Sequence, residues 1–249
     1  MGQDYHAACT DWRAGARDVC SRPMQSHKSE LIELMMESGV LTFGDFTTKS
    51  GRKTPYFLDA GRYRTGQQLR RLSRIYALAI GEHFGQDYDL LFGPAYKGIP
   101  LVVSTAMALA EQGRPDIPFA FNRKESKDHG EGGVLVGQRP RDGDRVLIVE
   151  DVTTAGTSIR ETVPILCAAA NIELAGLIVA VDRKEKGRGP ESALSELARE
   201  FQMKTHAIVD IDEIVSHLRT RSVDGKPVLD AETLARIESY RALHGAPSD

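Results

Sequence analysis

The chain has 249 residues, a length that allows one large domain or two small ones and excludes a long multidomain assembly. Hydrophobic residues make up 41% of the chain and charged residues 27%, which excludes disorder of the chain as a whole. The 32 Lys and Arg against 35 Asp and Glu leave a net charge of −3, which excludes a global positive field for nucleic acid, so any anion site must be local.

The N-terminal quarter predicts an arm, a helix and a small hairpin. Residues 1–26 mix acidic and basic side chains without an apolar core segment, so we expect a loose arm rather than a secretory signal. Residues 29–38 carry apolar side chains at helical spacing and stop at Gly39, which predicts the first helix. Two short strands flank the turn at 50–52, and we expect residues 27–64 to form a small hood.

After a helix over 67–84, buried strands alternate with helices. Strands are predicted at 89–92, 118–121, 145–149, 174–181 and 205–209, and helices at 99–112, 211–218 and 231–243. Most of these strands are continuous apolar runs, which is typical of strands covered on both faces. The sequence therefore predicts an α/β fold with a mostly parallel central sheet flanked by helices. We expect one domain over 27–249, with its core over about 65–210 and C-terminal helices over 211–245.

No membrane span or disulfide framework is predicted. Apolar runs such as 75–80 are far shorter than the roughly 18 residues that a spanning helix needs. The cysteines, Cys9, Cys20 and Cys167, are an odd and scattered set without CxxC spacing, which argues against disulfides and a zinc site and favours the cytoplasm. Cys167 lies among alanines and is expected to be a small buried hydrophobe.

The segment after the third core strand carries the strongest chemical signal, because ligands of parallel sheets bind beyond the carboxyl ends of the strands. An acidic pair, Glu150 and Asp151, precedes small and hydroxylated residues that open a helix: Val152, Thr153, Thr154, Ala155, Gly156, Thr157 and Ser158. Main-chain N–H groups and hydroxyls there can surround a phosphate, and the carboxylates can face sugar hydroxyls or a hydrated divalent cation. The alternative is an ordinary turn with a helix cap, which needs only one of these residues.

Two further segments supply cations. The glycine-flanked turn 93–98 presents Tyr96 and Lys97 at a helix start, where a lysine either strengthens anion binding or is a plain surface residue. The segment 122–133 ends in three glycines and carries four candidate cations, Arg123, Lys124, Lys127 and His129. It is either a solvated loop or a mobile flap that closes over a polyanion and excludes water. Together the segments predict a pocket for a phosphorylated ribose that carries a diphosphate.

These residues resemble the phosphoribosyl diphosphate (PRPP) signature of the type I phosphoribosyltransferase family. The resemblance to the signature is carried by residues 146–157, VLIVEDVTTAGT. Within the family, the chain is most similar to the orotate branch, in a match over about 28–243. That similarity is carried by 46–57 (FTTKSGRKTPYF), 92–100 (FGPAYKGIP), 122–133 (NRKESKDHGEGG) and 182–189 (DRKEKGRG). The departures remove no charge: Glu150 stands where Asp is frequent, Leu58 where a second Phe is common, and one extra residue lies near 168–173.

The resemblance implies an enzyme in which N1 of orotate displaces diphosphate from C1 of PRPP through an oxocarbenium-like sugar, giving orotidine 5′-monophosphate in pyrimidine biosynthesis. It implies that PRPP is bound by Lys49, Tyr96, Lys97, Arg123, Lys124, Lys127, His129 and residues 150–158. It implies that orotate is bound by Lys49, Phe57, Leu58, Thr154 and Arg183, and that the catalytic residues are Asp151, Lys127 and Lys49. The alternative interpretation of Phe57 is a core aromatic without a binding role. The alternative interpretation of Arg183 is a residue of a solvated turn.

The resemblance also implies Mg²⁺, held mainly by substrate oxygens and water with no metal ligand from the chain, and a homodimer with a shared active site. No nucleic acid or membrane partner is expected. Two alternatives stay open. A purine or uracil phosphoribosyltransferase would share the phosphate loop, at residues 150–158, but not the Lys49 segment, at 46–57, or Arg183. A PRPP-sensing regulator that binds nucleic acid should carry a basic face or an added helix-turn-helix.

Overall fold

The structure, a computed structural model, describes residues 26–48, 51–127, 133–153, 155–223 and 225–247. Its helices are α1 (Ser26–Glu37), α2 (Gly66–His83), α3 (Gly98–Glu111), α4 (Thr157–Ala169), α5 (Ala193–Phe201), α6 (Ile211–Arg219) and α7 (Ala231–His244). Its strands are β1 (Leu41–Thr47), β2 (Lys53–Leu58), β3 (Leu90–Gly93), β4 (Phe119–Lys127), β5 (Gly133–Gly137), β6 (Arg145–Val152), β7 (Glu173–Asp182), β8 (Lys204–Asp210), β9 (Ser222–Val223) and β10 (Lys226–Pro227). The predicted arm lies outside the described residues, except for Ser26.

Six strands form the central sheet, in the order β5-β4-β3-β6-β7-β8. Neighbouring strands are parallel except for β4 and β5, which are antiparallel. Successive apolar residues of the strands alternate between two core clusters: Leu91 and Leu147 pack with α1, α2 and α3, whereas Leu90 and Val146 pack with α4 and α5. The mostly parallel sheet with helices on both faces confirms the predicted fold class.

The N-terminal part contains the predicted helix and hairpin. Gly39, just after α1, has a φ of +67°, a backbone conformation that glycine adopts without steric cost. Strands β1 and β2 pair in an antiparallel hairpin that is separate from the central sheet, and α7 packs against β2. Helix α2 begins with a capping box between Thr65 and Gln68. Across the described part of the chain, none of the helices has the length and hydropathy needed to cross a bilayer.

The structure corrects three predictions. Strand β4 continues to Lys127, so residues 122–127, expected to begin a flap, are extended. Asn122 and Lys127 pair with β5 on either side of an irregularity, and the apolar run of β5 at 134–136 is a strand that the sequence did not predict. Helix α5 was not predicted. Cys167 is exposed rather than buried, because it follows Leu166, the last buried residue of α4, by one position, about 100° around the helix.

Candidate active site

The candidate site lies at the carboxyl ends of β3, β6 and β7. These strands are neighbours in the sheet, so the segments that follow them emerge at the same edge. Strand β6 continues through Val152, so Glu150 and Asp151 are strand residues. The prediction that they begin the loop after the strand is therefore corrected. The two carboxyl groups lie close enough for the charge of one to act on the other, but they take different further partners.

Glu150 is a buried carboxyl, 6% exposed. Its Oε2 accepts a hydrogen bond from the Ser158 hydroxyl at 2.6 Å, and its Oε1 accepts one from the N–H of Asp151 at 3.0 Å. The hydroxyl of Tyr76, in α2, donates to the main-chain oxygen of Glu150 at 2.7 Å. Burial, followed by the negative charge of Asp151, raises the pKa of Glu150 to about 7. Glu150 is therefore only partly ionised at neutral pH.

Asp151 faces the ammonium group of Lys97. The Lys97 Nζ lies 3.5 Å from Oδ2 of Asp151 and 3.6 Å from Oδ1 of Asp59, which caps the 3-10 turn at Ala60–Arg62. Oδ1 of Asp151 accepts the N–H of Val152 at 2.7 Å. Lys97 is largely exposed, so solvent screens both ion pairs and each contributes little to stability. The lysine can therefore exchange these carboxylates for an anionic ligand at small energetic cost.

The turn that presents Lys97 depends on two glycines. A Cβ atom on Gly93 would lie 2.2 Å from the carbonyl oxygen of Gly98, and one on Gly98 would lie 2.8 Å from the carbonyl carbon of Gly93. Only glycine at both positions allows β3 to turn this tightly into α3. Tyr96 is exposed next to Lys97, so the turn places one aromatic ring and one cation at the edge of the site.

The predicted phosphate loop joins β6 to α4. Gly156 caps α4 with a φ of +68°, and its N–H donates to Oγ1 of Thr153 at 3.1 Å. The first turn of α4 begins at Thr157, so its unpaired main-chain N–H groups and the positive end of the helix dipole face the loop. Thr154 lies outside the described residues. The geometry fits an anion at the start of α4.

Arg160 of α4 holds the main chain of this loop through a hydrogen bond. Its guanidinium donates to the carbonyl of Ala155 and pairs with Glu196 at 3.3 Å, and Glu196 also accepts the N–H of Arg188 at 3.1 Å. A Cβ atom on Gly156 would lie 2.7 Å from Nη1 of Arg160, a flexible side-chain end that can shift, so the φ of +68° rather than space is the reason for glycine at this position. Arg160 thus connects the phosphate loop to the segment that follows β7.

Of the four cations predicted on the flap, the structure describes two side chains. Arg123 donates to a main-chain carbonyl of β5 at 3.4 Å, and Lys124 pairs with Glu161 of α4 at 3.3 Å. Lys127 is the last residue of β4, but the structure does not describe its side chain, and His129 lies outside the described residues. Lys124 is thereby held against the helix that carries the phosphate loop at its N-terminus.

Arg183, predicted to bind orotate, lies in a buried cluster at the end of β7. Its side chain is 7% exposed, and Nε and Nη2 donate to Oε1 of Glu185 at 2.9 and 2.7 Å. Its guanidinium carbon lies 5.0 Å from the centre of the Tyr56 ring. Burial lowers the pKa of Arg183, but the charge of Glu185 and the neighbouring phenols raise it by more, so the guanidinium stays charged. The alternative of a solvated turn is therefore wrong for Arg183.

The other predicted orotate residues belong to the hairpin. Phe57 is exposed and stacks on Phe46 with ring centres 5.5 Å apart, so it is not a core aromatic. Leu58 pairs with Leu41 across the hairpin and packs against the larger core cluster. Lys49 lies outside the described residues.

Sequence reasoning did not single out four of the side chains that hold this site: Asp59, Arg160, Glu185 and Tyr56. Asp59 directly follows β2, and Glu185 stands in a run of charges two residues after Arg183. Charged residues that become buried near a strand end usually have a partner, and closeness to a strand end is the signal that both acids offer: Asp59 is one residue after β2 and Glu185 three residues after β7. The partners themselves are distant in the chain, so no local pattern identifies them.

The family described as the phosphoribosyl transferase domain matches residues 60–200, which include the glycine turn, the acidic pair and Arg183. The chain is 53% identical to the orotate phosphoribosyltransferase of Clostridium beijerinckii over 223 residues, which are 90% of this chain and 100% of that protein. It is 53% identical to the orotate phosphoribosyltransferase of Lachnoclostridium phytofermentans over 222 residues, which are 89% of this chain and 99% of that protein.

The structure is also similar to the crystal structure of the orotate phosphoribosyltransferase of Francisella tularensis. The TM-score is 0.74 at 36% sequence identity, and the similarity covers 86% of this chain and 98% of that one. Family, sequence and structure comparisons thus agree with one another and with the geometry of the site. The chain belongs to the orotate phosphoribosyltransferase family.

Proposed function

We propose that this chain transfers the phosphoribosyl group of PRPP to N1 of orotate, giving orotidine 5′-monophosphate and diphosphate in pyrimidine biosynthesis. Relatives named for this activity, 53% identical over nine-tenths of the chain, support the proposal. The observation that carries it is the arrangement at the end of β6, where Asp151 faces Lys97 beside a glycine-capped helix start. One edge of the sheet thus offers a carboxylate for sugar hydroxyls, a cation and an anion-binding helix terminus.

PRPP is assigned to three parts of this edge. The 5′-phosphate belongs at residues 154–158, where the N–H groups of the first turn of α4 lack helical partners. The ribose hydroxyls belong against Glu150 and Asp151. The diphosphate is assigned to side chains that are mostly cationic: Tyr96, Lys97, Arg123, Lys124, Lys127 and His129.

The reaction needs charge stabilisation rather than a side-chain nucleophile, because N1 of orotate is itself the attacking atom. As the bond from C1 to the diphosphate breaks, positive charge develops on the sugar, and Asp151 is the carboxylate placed to stabilise it. Lys97 stabilises the negative charge that builds up on the leaving diphosphate. In the structure Asp151 and Lys97 form an ion pair at 3.5 Å. Bound PRPP would replace this pair by two interactions, one between Asp151 and the sugar and one between Lys97 and the diphosphate.

Orotate is assigned to the hairpin side of the site. Arg183 supplies a cation for its carboxylate, Phe57 an exposed aromatic face for its ring, and Leu58 the neighbouring apolar surface. Lys49 and Thr154 complete the proposed set from outside the described residues.

Mg²⁺ is proposed as the cofactor, and the donor chemistry of the site fits it. Carboxylate oxygens such as those of Asp151 are ligands that Mg²⁺ accepts directly or through its waters. Within the described ranges, no group of three or more His, Cys, Asp and Glu side chains could hold a metal ion. We therefore assign most of its ligands to substrate oxygens and water. When bound, the ion neutralises negative charge on the diphosphate.

We assign the enzyme to the cytoplasm and to a homodimer in which the flap segment of one subunit completes the site of the other. Complementation tests the shared site: Lys127→Ala and Asp151→Ala chains, inactive alone, should recover activity when they are mixed and allowed to exchange subunits. Mixtures that stay inactive despite verified exchange would contradict a shared site.

The activity is tested by following orotate consumption by the full chain with and without PRPP and Mg²⁺. We expect consumption only with both, and a loss of about 100-fold or more in kcat/KM for Asp151→Asn. The matched control is Asp142→Asn, which removes a carboxylate from an exposed turn where it accepts the N–H of Asn171. Turnover with adenine, hypoxanthine or uracil in place of orotate would contradict the proposal. Salt-sensitive nucleic acid binding without turnover would instead favour a regulator.

A further inference from the structure

A buried carboxylate, Glu185, connects the hairpin to the end of β7. The side chain is 5% exposed. Its Oε1 accepts hydrogen bonds from Nε and Nη2 of Arg183 and from the hydroxyl of Tyr56, the last at 2.8 Å. Its Oε2 accepts one from Nη1 of Arg52 at 3.1 Å. Tyr56 lies on β2, and Arg52 is the residue just before that strand. The carboxylate of Glu185 therefore joins the hairpin to the segment after β7, about 130 residues further along the chain.

The backbone and ring contacts make this carboxylate a rigid anchor. Glu185 forms an antiparallel bridge with Gly245, just after α7, and the next residue, Lys186, donates its N–H to the carbonyl of His244 at 3.0 Å. The Tyr56 ring meets the Tyr240 ring of α7 edge-to-face with centres 5.8 Å apart. The position of Glu185 is therefore set by β2, β7 and α7 together.

The charges of the cluster do not balance. Two guanidinium groups, those of Arg183 and Arg52, face a single carboxylate, and the phenol of Tyr56 stays neutral because burial and the charge of Glu185 raise its pKa. One positive charge is left over: the Arg183 side chain is 7% exposed, and that of Arg52 is 31% exposed. Buried charges are normally paired, so the cluster attracts an anion. Glu185 engages Nε and Nη2 of Arg183, which leaves Nη1 as the amine that this carboxylate does not occupy.

We propose that Glu185 is a positioning residue for orotate: it fixes the guanidinium of Arg183 in one orientation so that the remaining donor meets the substrate carboxylate. The inference rests on the proposed function, and in particular on the assignment of Arg183 to orotate. Arg183 has several rotatable bonds, and two hydrogen bonds to one fixed oxygen remove that freedom before the substrate arrives. The side-chain hydrogen bonds of Glu185 go to Arg52, Tyr56 and Arg183, and none joins it to the described residues of the phosphate loop, so we expect its effect to be specific to orotate.

Two substitutions test this role. Glu185→Gln keeps the size of the side chain but removes its charge, and Glu185→Asp keeps the charge but withdraws it by one methylene group, which also serves if the glutamine variant does not fold. We expect each to raise KM for orotate about tenfold, with kcat and KM for PRPP changed by less than about threefold, because a preorganised contact to one substrate is lost. The matched control is Asp89→Asn. It breaks a similar two-bond pair, from Arg145 to Asp89, at the amino ends of β3 and β6, and should leave both KM values unchanged.

Uracil separates a carboxylate effect from general damage, because it has the ring of orotate without the carboxylate. Its inhibition constant should stay within about twofold of wild type in both Glu185 variants, since it makes no contact that Arg183 orients. An unchanged KM for orotate in folded Glu185 variants would overturn the inference while leaving the proposed function standing. An equal rise in the constants for orotate, PRPP and uracil would also overturn it, since that pattern indicates structural damage alone. A wild-type chain that does not consume orotate would remove the proposed function and the inference with it.

Discussion

The buried carboxyl of Glu150 predicts that a Glu150→Gln substitution changes how stability depends on pH. Burial, and then the charge of Asp151, raises the pKa of Glu150 from 4.5 to about 7. Between these values the unfolded chain loses a proton that the folded chain keeps. The folded state therefore binds more protons, and the free energy of unfolding of the wild type falls as pH rises from about 4.5 to 7. Glutamine carries no such proton, so the variant lacks this dependence.

The size of the effect follows from the two pKa values. At about 1.4 kcal/mol per pKa unit, the wild type loses about 3 kcal/mol of stability once Glu150 is fully ionised. Near pH 5 Glu150 is protonated, so glutamine there replaces a neutral carboxyl and costs at most about one neutral hydrogen bond, about 0.5–1.5 kcal/mol, where the Ser158 hydroxyl now bonds Glu150 at 2.6 Å. We expect the variant to be less stable than wild type near pH 5 and to gain about 2–3 kcal/mol relative to it by about pH 8.

The measurement is urea-induced unfolding of both proteins from about pH 5 to 8 at one fixed protein concentration, with the difference in unfolding free energy plotted against pH. Glu196→Gln is the control. Burial raises the pKa of Glu196, but hydrogen bonds from Gly189, Arg188 and Arg160 lower it by more, so that carboxyl is ionised throughout this range and its difference should be flat. A flat difference for Glu150→Gln, or one of opposite slope, would refute the argument from burial and charge.

Three further predictions concern the support of the site and the rest of the fold. Gly156→Ala should cost about 1–2 kcal/mol of stability and raise KM for PRPP, because alanine is strained at a φ of +68°; unfolding and steady-state kinetics measure both, and unchanged values would contradict the need for glycine. Tyr76→Phe should lose about 1–2 kcal/mol, measured by urea unfolding, because its buried hydroxyl bonds the main-chain oxygen of Glu150 at 2.7 Å. Burial and the stacked ring of His83 lower the pKa of His206 to about 4, so stability should fall by about 1–2 kcal/mol between about pH 6.5 and 4, after allowance for partial solvation of the ring. A His206→Phe variant should lose less over that range, and an equal loss would contradict the assignment.

The two core clusters show why most of the fold could be predicted. Strands β3, β6 and β7 are continuous apolar runs because each is covered on both faces, and this requirement is visible in any single strand. Strand β5 is an edge strand that exists only through its pairing with β4, so its short apolar run carried too little local signal. Cys167 was misjudged because composition around a residue does not tell which face of a helix it occupies, whereas the period of buried residues in α4 does.

By itself, the sequence determined the α/β class, the positions of the five parallel strands and the segment that joins an acidic pair to a glycine-capped helix. These features depend on patterns a few residues long, which chain connectivity keeps together. Only the tertiary structure decided which partners the charged groups take. Glu150 turns to Ser158 while Asp151 turns to Lys97, and Glu185 meets Tyr56 across 129 positions of the chain. Such contacts follow from how the hairpin and α7 pack against the end of the sheet, and no local pattern of residues records that packing.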